Sequence, residues 1–544
     1  MKHTIAVLTF VALLAGAGTG SRAADPCAGV QVTIGPNVPH DVAGSRRLPP
    51  TAASDAKLAA FAWQQFLALC WQSDYTTTSF SRGAPDTTWN YSMAYKPGQP
   101  LVWETYAHRS ELRPFGVPLD TPFSKQPVYL FGNKTIAPAD GAKYDLFNNL
   151  DEDSEIGSCN IYLGPPDPAK GNPTKQPLVL YQAKVNQAEY DYIKTNFGPA
   201  QFDPTGPLNA AQQANKSSIK KNKVPAKNGI NLPAGDNSIS GVPGEGAVEI
   251  KTAFLLVTDD NKEELKDFFQ TQAIYYTADY DAGPSATPGT SPAPKKPAYS
   301  NWKYHNGTFA LLAIHVIHKT KSYPDFIFTS FEHKSLADKP FQFILTSPPP
   351  PDYPGSNFNP FGASPTPGAP SGTQFGDRHL IKRQAGTNPT SNGQLYPIPP
   401  SLDAVTQTVH CQLSKLNPNS IWLNYRLMGV QANITEKWAA VPSQGAGPNH
   451  FMANHVVESD AFLGNFFGPG FGGNPFPTGP KGPKGNQNGA NVLYQRVPRN
   501  MGGCKGCHGV AQTAFGTDFS FLLDFGADKP VSNPDTLFYH PEEQ

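Results

Sequence analysis

The stretch Phe309-Ala310-Leu311-Leu312-Ala313-Ile314-His315-Val316-Ile317-His318-Lys319 reads as a strand. Alternation puts His315 on one face with Phe309, Leu311 and Ala313, and His318 on the other. Asp325 to His333 follows after Tyr323-Pro324 and reads as its hairpin partner. There Glu332 shares a face with Phe326, Phe328 and Ser330, and His333 points the other way. Upstream, Ala247 to Val257 has the clearest period of two. Val248, Ile250, Thr252, Phe254 and Leu256 form one face, with Glu249 and Lys251 on the opposite one. Phe341 to Thr346 is a further strand. These neighbouring runs predict a sheet at the middle of the chain.

Around that sheet the pattern is mixed. Ser54 is positioned to cap a helix that runs to about Trp71, with Leu58, Phe61, Ala62, Phe66, Leu69 and Cys70 at helical spacing. Trp63 and Trp71 add core bulk. Leu101 to Tyr106, Pro127 to Phe131, Leu178 to Val185 and Ser420 to Gln431 read as strands. Gln187 to Phe197 reads as a short helix closed by Gly198, and Lys262 to Gln270 as another. Residues 199–246 are rich in Ala, Asn, Lys, Gly and Pro and read as a surface loop. Residues 281–299, 347–376 and 463–490 are Pro/Gly/Ser/Asn-rich and read as linkers or excursions. The interruptions have no fixed period, which excludes a solenoid or propeller. The fold class expected is α+β, with a large, mainly antiparallel core, helices and long Pro/Gly-rich loops.

Composition narrows the function classes. The 544 residues carry 43 basic and 43 acidic side chains, so no net field draws the chain to nucleic acid or an anionic membrane. Lys2 and His3 precede an apolar run from Ile5 to Ala17, and Ser21-Arg22-Ala23 has the small-x-small form of a cleavage site. Residues 1–23 are therefore expected to be a secretory signal peptide. No later run is long enough for a transmembrane helix. The mature protein is expected to be exported, and periplasmic in a Gram-negative host. Cys27, Cys70, Cys159 and Cys411 could form two disulfides in three connectivities, with Cys70 the best candidate for a buried thiol.

The most specific motif lies near the C-terminus: Met501-Gly502-Gly503-Cys504-Lys505-Gly506-Cys507-His508. Cys-x-x-Cys-His is the attachment sequence of a c-type haem. The two thiols would form thioethers to the vinyl groups, and the adjacent histidine would bind iron. Gly502, Gly503 and Gly506 allow close approach of backbone to a flat ligand. A thioredoxin-like dithiol would need a strand-to-helix context, and zinc would need further Cys or His partners; the sequence offers neither. At these residues the chain resembles the c-type cytochromes, and as a whole it resembles large exported bacterial scaffolds that carry one C-terminal haem motif. The resemblance implies one covalent haem c on Cys504 and Cys507, with His508 as the proximal iron ligand.

The chain departs from that family in one respect. A small cytochrome c places its methionine ligand well downstream of the motif, but none of the 36 residues after His508 is Met. Met452 is the foremost methionine for the sixth position. Met501 is too near Cys504, and Met428 reads as core. His450, His455, His315, His318, His333 and His540 are the histidine candidates, and an open or water-bound site is the alternative. Phe515, Phe519, Phe521, Leu522, Leu523 and Phe525 offer an apolar wall.

The organisation expected is a signal peptide (1–23), an α+β scaffold (24–460), and a Gly/Pro-rich linker with a C-terminal haem-binding segment (461–544). Three functions follow as expectations. The first is electron transfer by an exported mono-haem cytochrome with a redox partner protein. The second is a haem-dependent oxidoreductase, peroxidase- or oxygenase-like, acting on a small-molecule substrate in a scaffold pocket. Glu249, Glu332, His315 and His333 are then its acid/base candidates. The third is a binding or assembly protein with a structural or sensory haem.

Overall fold

The computed structural model describes residues 27–49, 51–76, 81–96, 98–112, 119–127, 129–131, 134–135, 147–152, 154–155, 159–163, 178–198, 206–222, 224–235, 244–281, 298–336, 341–345, 378–381, 398–432, 456–457, 490–494, 497–501 and 503–523. The fold is α+β. Its principal helices are α1 (Ala52–Leu69), α2 (Gln187–Phe197), α3 (Pro207–Asn222), α4 (Pro400–Leu416) and α5 (Gly503–Val510). Its main sheet has eight strands: β1 (Ala107–His108), β2 (Asn149–Leu150), β3 (Val179–Val185), β4 (Val248–Leu256), β5 (Gln270–Asp281), β6 (Ala298–His318), β7 (Ile327–His333) and β8 (Tyr425–Gln431).

The spatial order is β1-β3-β4-β6-β7-β8, and each of these pairings is antiparallel. β6 is the spine. Its first half pairs with β5 through Ala310, and its second half pairs with β7 from Ala313 onward. β2 adds to β5 in parallel. A separate four-stranded sheet contains Ser154–Glu155, Cys159–Leu163, Phe341–Leu345 and Arg378–Ile381. The expected strand at Phe341 therefore exists but does not extend the main sheet.

A β-bulge between Leu311 and Ala313 corrects the face assignment of β6. Leu311 opposes Phe254, whereas Ala313 opposes Ala253, so the extra residue breaks the alternation. Phe309 and Leu311 lie on the Phe254 face, and His315 lies on the face of Lys251. His318 is on the opposite face, as the sequence predicts. The β7 reading of Phe328, Ser330 and Glu332 on one face agrees with their register against Ile317, His315 and Ala313.

Helices α1 and α4 cover the face of Phe331. Phe66 stacks on Phe331 at 4.1 Å between ring centroids, and Trp63 meets Phe331 edge-on at 5.0 Å. Trp63 Nε1 donates to Thr406 Oγ1 at 3.1 Å and so joins the two helices. Both Trp63 and Trp71 are core residues. Thr51, not Ser54, supplies the N-cap of α1, its hydroxyl accepting from the Ser54 N–H. The Cys27–Cys411 disulfide fastens the N-terminal segment to α4. Cys70 is a buried thiol, and the side chain of Cys159 lies outside the described residues.

Other local readings change. Leu101–Tyr106 is not a strand; Trp103–Thr105 form a buried 3-10 turn. The run expected to be a surface loop contains α3, a polar helix that buries Leu208, Ala211, Gln212, Asn215 and Ile219. The helix after β4 is confined to Lys262–Leu265, and Gln270 opens β5 instead. Among the described residues no helix is long and apolar enough to cross a membrane.

Candidate functional site

The second face of the sheet carries a polar row. Ala183, Lys251, His315, Ser330 and Gly429 stand opposite one another across β3, β4, β6, β7 and β8. The neighbouring row is Val185, Glu249, Ile317, Phe328 and Gln431. The residues of 503–523 pack on this face, and Cys504, Phe519 and Leu523 join the same apolar core as the strands.

α5 carries the motif. A helix puts positions 504, 507 and 508 at i, i+3 and i+4, which share one side. Cys504 is a buried thiol. Lys505 anchors the first turn. Its backbone N–H donates to Gln431 Oε1 at 2.7 Å, satisfying one orphan donor of the helix N-terminus. Its Nζ donates to Asp325 Oδ2 at 2.7 Å, and Arg47 bonds the same carboxylate.

His508 is held by the turn that follows. Its Nδ1 donates to the Phe519 carbonyl at 2.7 Å. A carbonyl can only accept, so Nδ1 carries the proton and Nε2 keeps the lone pair. The ring packs 5.0 Å from Phe328, 4.9 Å from Phe521 and 5.9 Å from His315, between centroids. Burial, reinforced by neighbouring His315 and Lys251, pushes the His508 pKa down to about 3, against the Phe519 bond that raises it. The imidazole is therefore neutral at physiological pH, the form that binds metals.

The carbonyl is aimed by a strained turn. Asp518 and Phe519 adopt φ of 54° and 70°, left-handed values that cost a non-glycine residue of order 1 kcal/mol each. Several contacts hold it there. Asp518 Oδ2 accepts from Lys319 Nζ at 2.5 Å and from Leu232 N–H at 2.7 Å. Asn215 Nδ2 donates to the Gly516 carbonyl at 2.9 Å, and Gln212 Nε2 to that of Leu523 at 2.6 Å. Gly516 has φ of 78°, and a Cβ there would meet the Gln212 carbonyl at 2.3 Å.

His315 is buried in the centre of the sheet, its Nδ1 3.0 Å from Ser330 Oγ. Glu249 neighbours Glu189 of α2, and burial followed by that like-charged neighbour pushes the Glu189 carboxyl well above its ordinary range. Lys251 lies 4.0 Å from Glu152.

Other predicted residues are elsewhere. Glu332 accepts from Arg426 at 2.9 Å. His333 is on the opposite face, bonded to Ser335 and the Asp267 carbonyl and stacked on Phe268. His318 is also on the opposite face, between Gln65 and the Glu245 carbonyl. Neither is brought to His508. Met428 is buried in β8, as predicted; Met501 ends the strand Val497–Met501, which leads into α5 at Gly503, so the strand-to-helix context that the sequence reading found missing is present. Met452, His450, His455, Phe525 and His540 lie outside the described residues, although Val456 reaches this face, its carbonyl accepting from Tyr181 Oη at 2.7 Å.

Sequence reasoning missed the supports. Lys319, Asp518, Asn215 and Gln212 carry no motif, and their only signal is polarity beside buried apolar positions. Among the described residues no three His, Cys, Asp or Glu side chains converge as a bare-ion site. No family model, curated protein or solved structure matches the chain.

Proposed function

We propose that this chain is an exported mono-haem c-type protein that transfers electrons to a redox partner, periplasmic in a Gram-negative host. The observation that carries the reading is the tautomer of His508. A helix with Cys504, Cys507 and His508 at attachment spacing has its histidine tied through Nδ1 to the Phe519 carbonyl. That bond leaves Nε2 as the donor, and metal-bound histidines characteristically give their other N–H to such an acceptor. The donor set thus fits a covalent haem: two thiol positions on one side of a helix and one oriented neutral imidazole.

When bound, the haem supplies a one-electron iron couple. Cys504 and Cys507 would hold it through thioethers. His508 would ligate the iron through Nε2, and the Phe519 carbonyl would fix the ring and raise its basicity. Phe328 and Phe521 beside His508 would limit water and lower the local dielectric. The Lys505–Asp325–Arg47 cluster would keep the attachment helix against β7 and β8.

The test is covalent attachment. The full chain, made in a host that matures c-type cytochromes, should retain haem staining after denaturation. The mass should rise by one haem, and Cys504→Ala with Cys507→Ala should abolish both. An unstained wild-type chain, or stain that persists in the double variant, overturns the reading.

A further inference from the structure

We propose that Lys319 and Asn231 join in an intramolecular isopeptide bond, a side-chain amide formed with Asp518 as the proton carrier; the inference is independent of the haem reading above. Three observations carry it.

The first is juxtaposition. Lys319 Nζ donates to Asn231 Oδ1 at 2.8 Å and to Asp518 Oδ2 at 2.5 Å. An ammonium group can only donate, so the amide turns its carbonyl toward the lysine. A C=O bond is about 1.23 Å long, which puts Asn231 Cγ no more than about 4 Å from Nζ. Reacting atoms in a near-attack arrangement stand about 3–3.5 Å apart, so a small side-chain rotation suffices.

The second is the setting. The Lys319 and Asp518 side chains are only 3% and 6% exposed. Lys319 Nζ lies 5.7 Å over the Phe326 ring, and Phe326 meets Phe519 at 6.0 Å. Burial raises the Asp518 carboxyl even against the pull of Lys319. That favours passing a proton from Nζ to Asp518, which leaves the neutral amine, the nucleophilic form of lysine. The Leu232 N–H holds the same Asp518 oxygen at 2.7 Å.

The third is fixation by three separate segments. The Lys319 N–H donates to the Ala247 carbonyl, and the Lys319 carbonyl accepts from the Gly235 N–H, both at 2.9 Å. The Asn231 N–H donates to Tyr192 Oη at 2.9 Å. Asp518 sits in the left-handed turn already described. Reactants held this way meet at high effective concentration. Asn231 is itself exposed, which gives a small leaving group a way out.

The step balances without oxidant or reductant. Asp518 takes a proton from the Nζ ammonium, and the freed lone pair bonds to Asn231 Cγ. Asp518 returns that proton to Nδ2, and the Cγ–Nδ2 bond breaks with release of ammonia. The surplus proton on Nζ passes to Asp518, which ends as the neutral acid that burial favours. One amide replaces another, and escape of ammonia draws the exchange forward. An ionised carboxylate repels a nucleophile, so Asp518 is the carrier rather than the group attacked. The bond would staple the end of β6 to the 230–232 segment across 88 positions of chain.

The experiment is tryptic peptide mapping of the full mature chain by tandem mass spectrometry. Wild type should give a branched peptide joining residues 228–251 to residues 304–321, lighter by one ammonia than the two peptides together and uncut after Lys319. Lys319→Arg should abolish it. Asn231→Ala changes an exposed side chain and should do the same, so it decides the question if Lys319→Arg fails to accumulate. Asp518→Asn should reduce the branched peptide at least tenfold while leaving Lys319 and Asn231 in the chain. Separate, unmodified peptides from wild type would overturn the proposal. A branch from Lys319 to Asp518 with loss of water would overturn the choice of Asn231, and full cross-linking in Asp518→Asn would overturn the role of Asp518.

Discussion

Lys505, which stands between the two cysteines of the motif, donates from Nζ to the Asp325 carboxylate at 2.7 Å and to its carbonyl at 3.0 Å, with no part of its side chain exposed. Helix α5 is thereby pinned to the start of β7 through a residue that Cys-x-x-Cys-His leaves unspecified. Phe326, next to Asp325, has φ of 64°, so the backbone at the anchor is in a costly conformation. The contact lets the fold place His508 beside Phe328 and His315.

Breaking that ion pair from one side should be expensive, because a buried carboxylate loses its main partner. Lys505→Met should destabilise the chain by about 3 kcal/mol. Asp325→Asn together with Lys505→Met should cost less than the sum of the single changes, because no fully buried charge is left unpaired and only the part-exposed Arg47 loses its partner. Urea unfolding of the four proteins measures the coupling directly. Equal and additive losses would show that the pair does not act as a unit.

The same pair sets an acid limit. Burial alone would raise the Asp325 carboxyl, but Lys505 and Arg47 outweigh it and hold the group below the ordinary carboxylate range. A depressed native pKa gives stability that is present above the unfolded value of about 4. That stability is lost as pH falls through the native value. Thermal unfolding followed downward from about pH 5 should therefore show a decline that is shallower in Asp325→Asn. Parallel curves for the two proteins would remove the assignment.

Glu189 should act with the opposite sign. Burial and the Glu249 carboxyl raise its pKa, so the native state keeps a proton that the unfolded chain releases. This contribution is favourable below the unfolded value of about 4.3 and becomes a growing cost as pH rises toward the native value. Glu189→Gln keeps the shape and removes the ionisation. It should raise the melting temperature at pH 8 and do little at pH 4. A variant less stable than wild type at both values would show that the carboxyl contributes through packing alone.

These charges mark the boundary between what could be read and what could not. The period of two in Val248 to Leu256 is a local property of one strand, and it survives into β4, although both of its faces are buried. The Cys504-x-x-Cys507-His508 spacing is likewise local. The Leu311/Ala313 bulge is not: it depends on how β6 pairs with β4, so alternation along one strand misplaces Phe309 and Leu311. α3 was hidden for a related reason. Its Gln212 and Asn215 look like loop residues, but they are buried because the Leu523 and Gly516 carbonyls need donors. Lys319 and Asp518 meet across 199 positions of sequence, a pairing no window can anticipate.

The Cys27–Cys411 disulfide gives a final test, because it closes a chain separation of 384 residues and joins the N-terminal segment to the helix behind the sheet. Cross-links over long loops restrict the unfolded chain most, and removal of this one should cost about 4 kcal/mol. Gln412, beside Cys411, also accepts from and donates to the Val32 backbone at 3.4 and 3.1 Å, so the segment keeps a weaker attachment after reduction. Cys411→Ser should therefore lower the melting temperature by several degrees while leaving unchanged the spectrum of the haem proposed for α5, because α4 lies on the face opposite His508. Reductant should reproduce the effect in wild type and add nothing to the variant. A change in haem spectrum in Cys411→Ser would mean that the two faces of the sheet are coupled through β6 and β7.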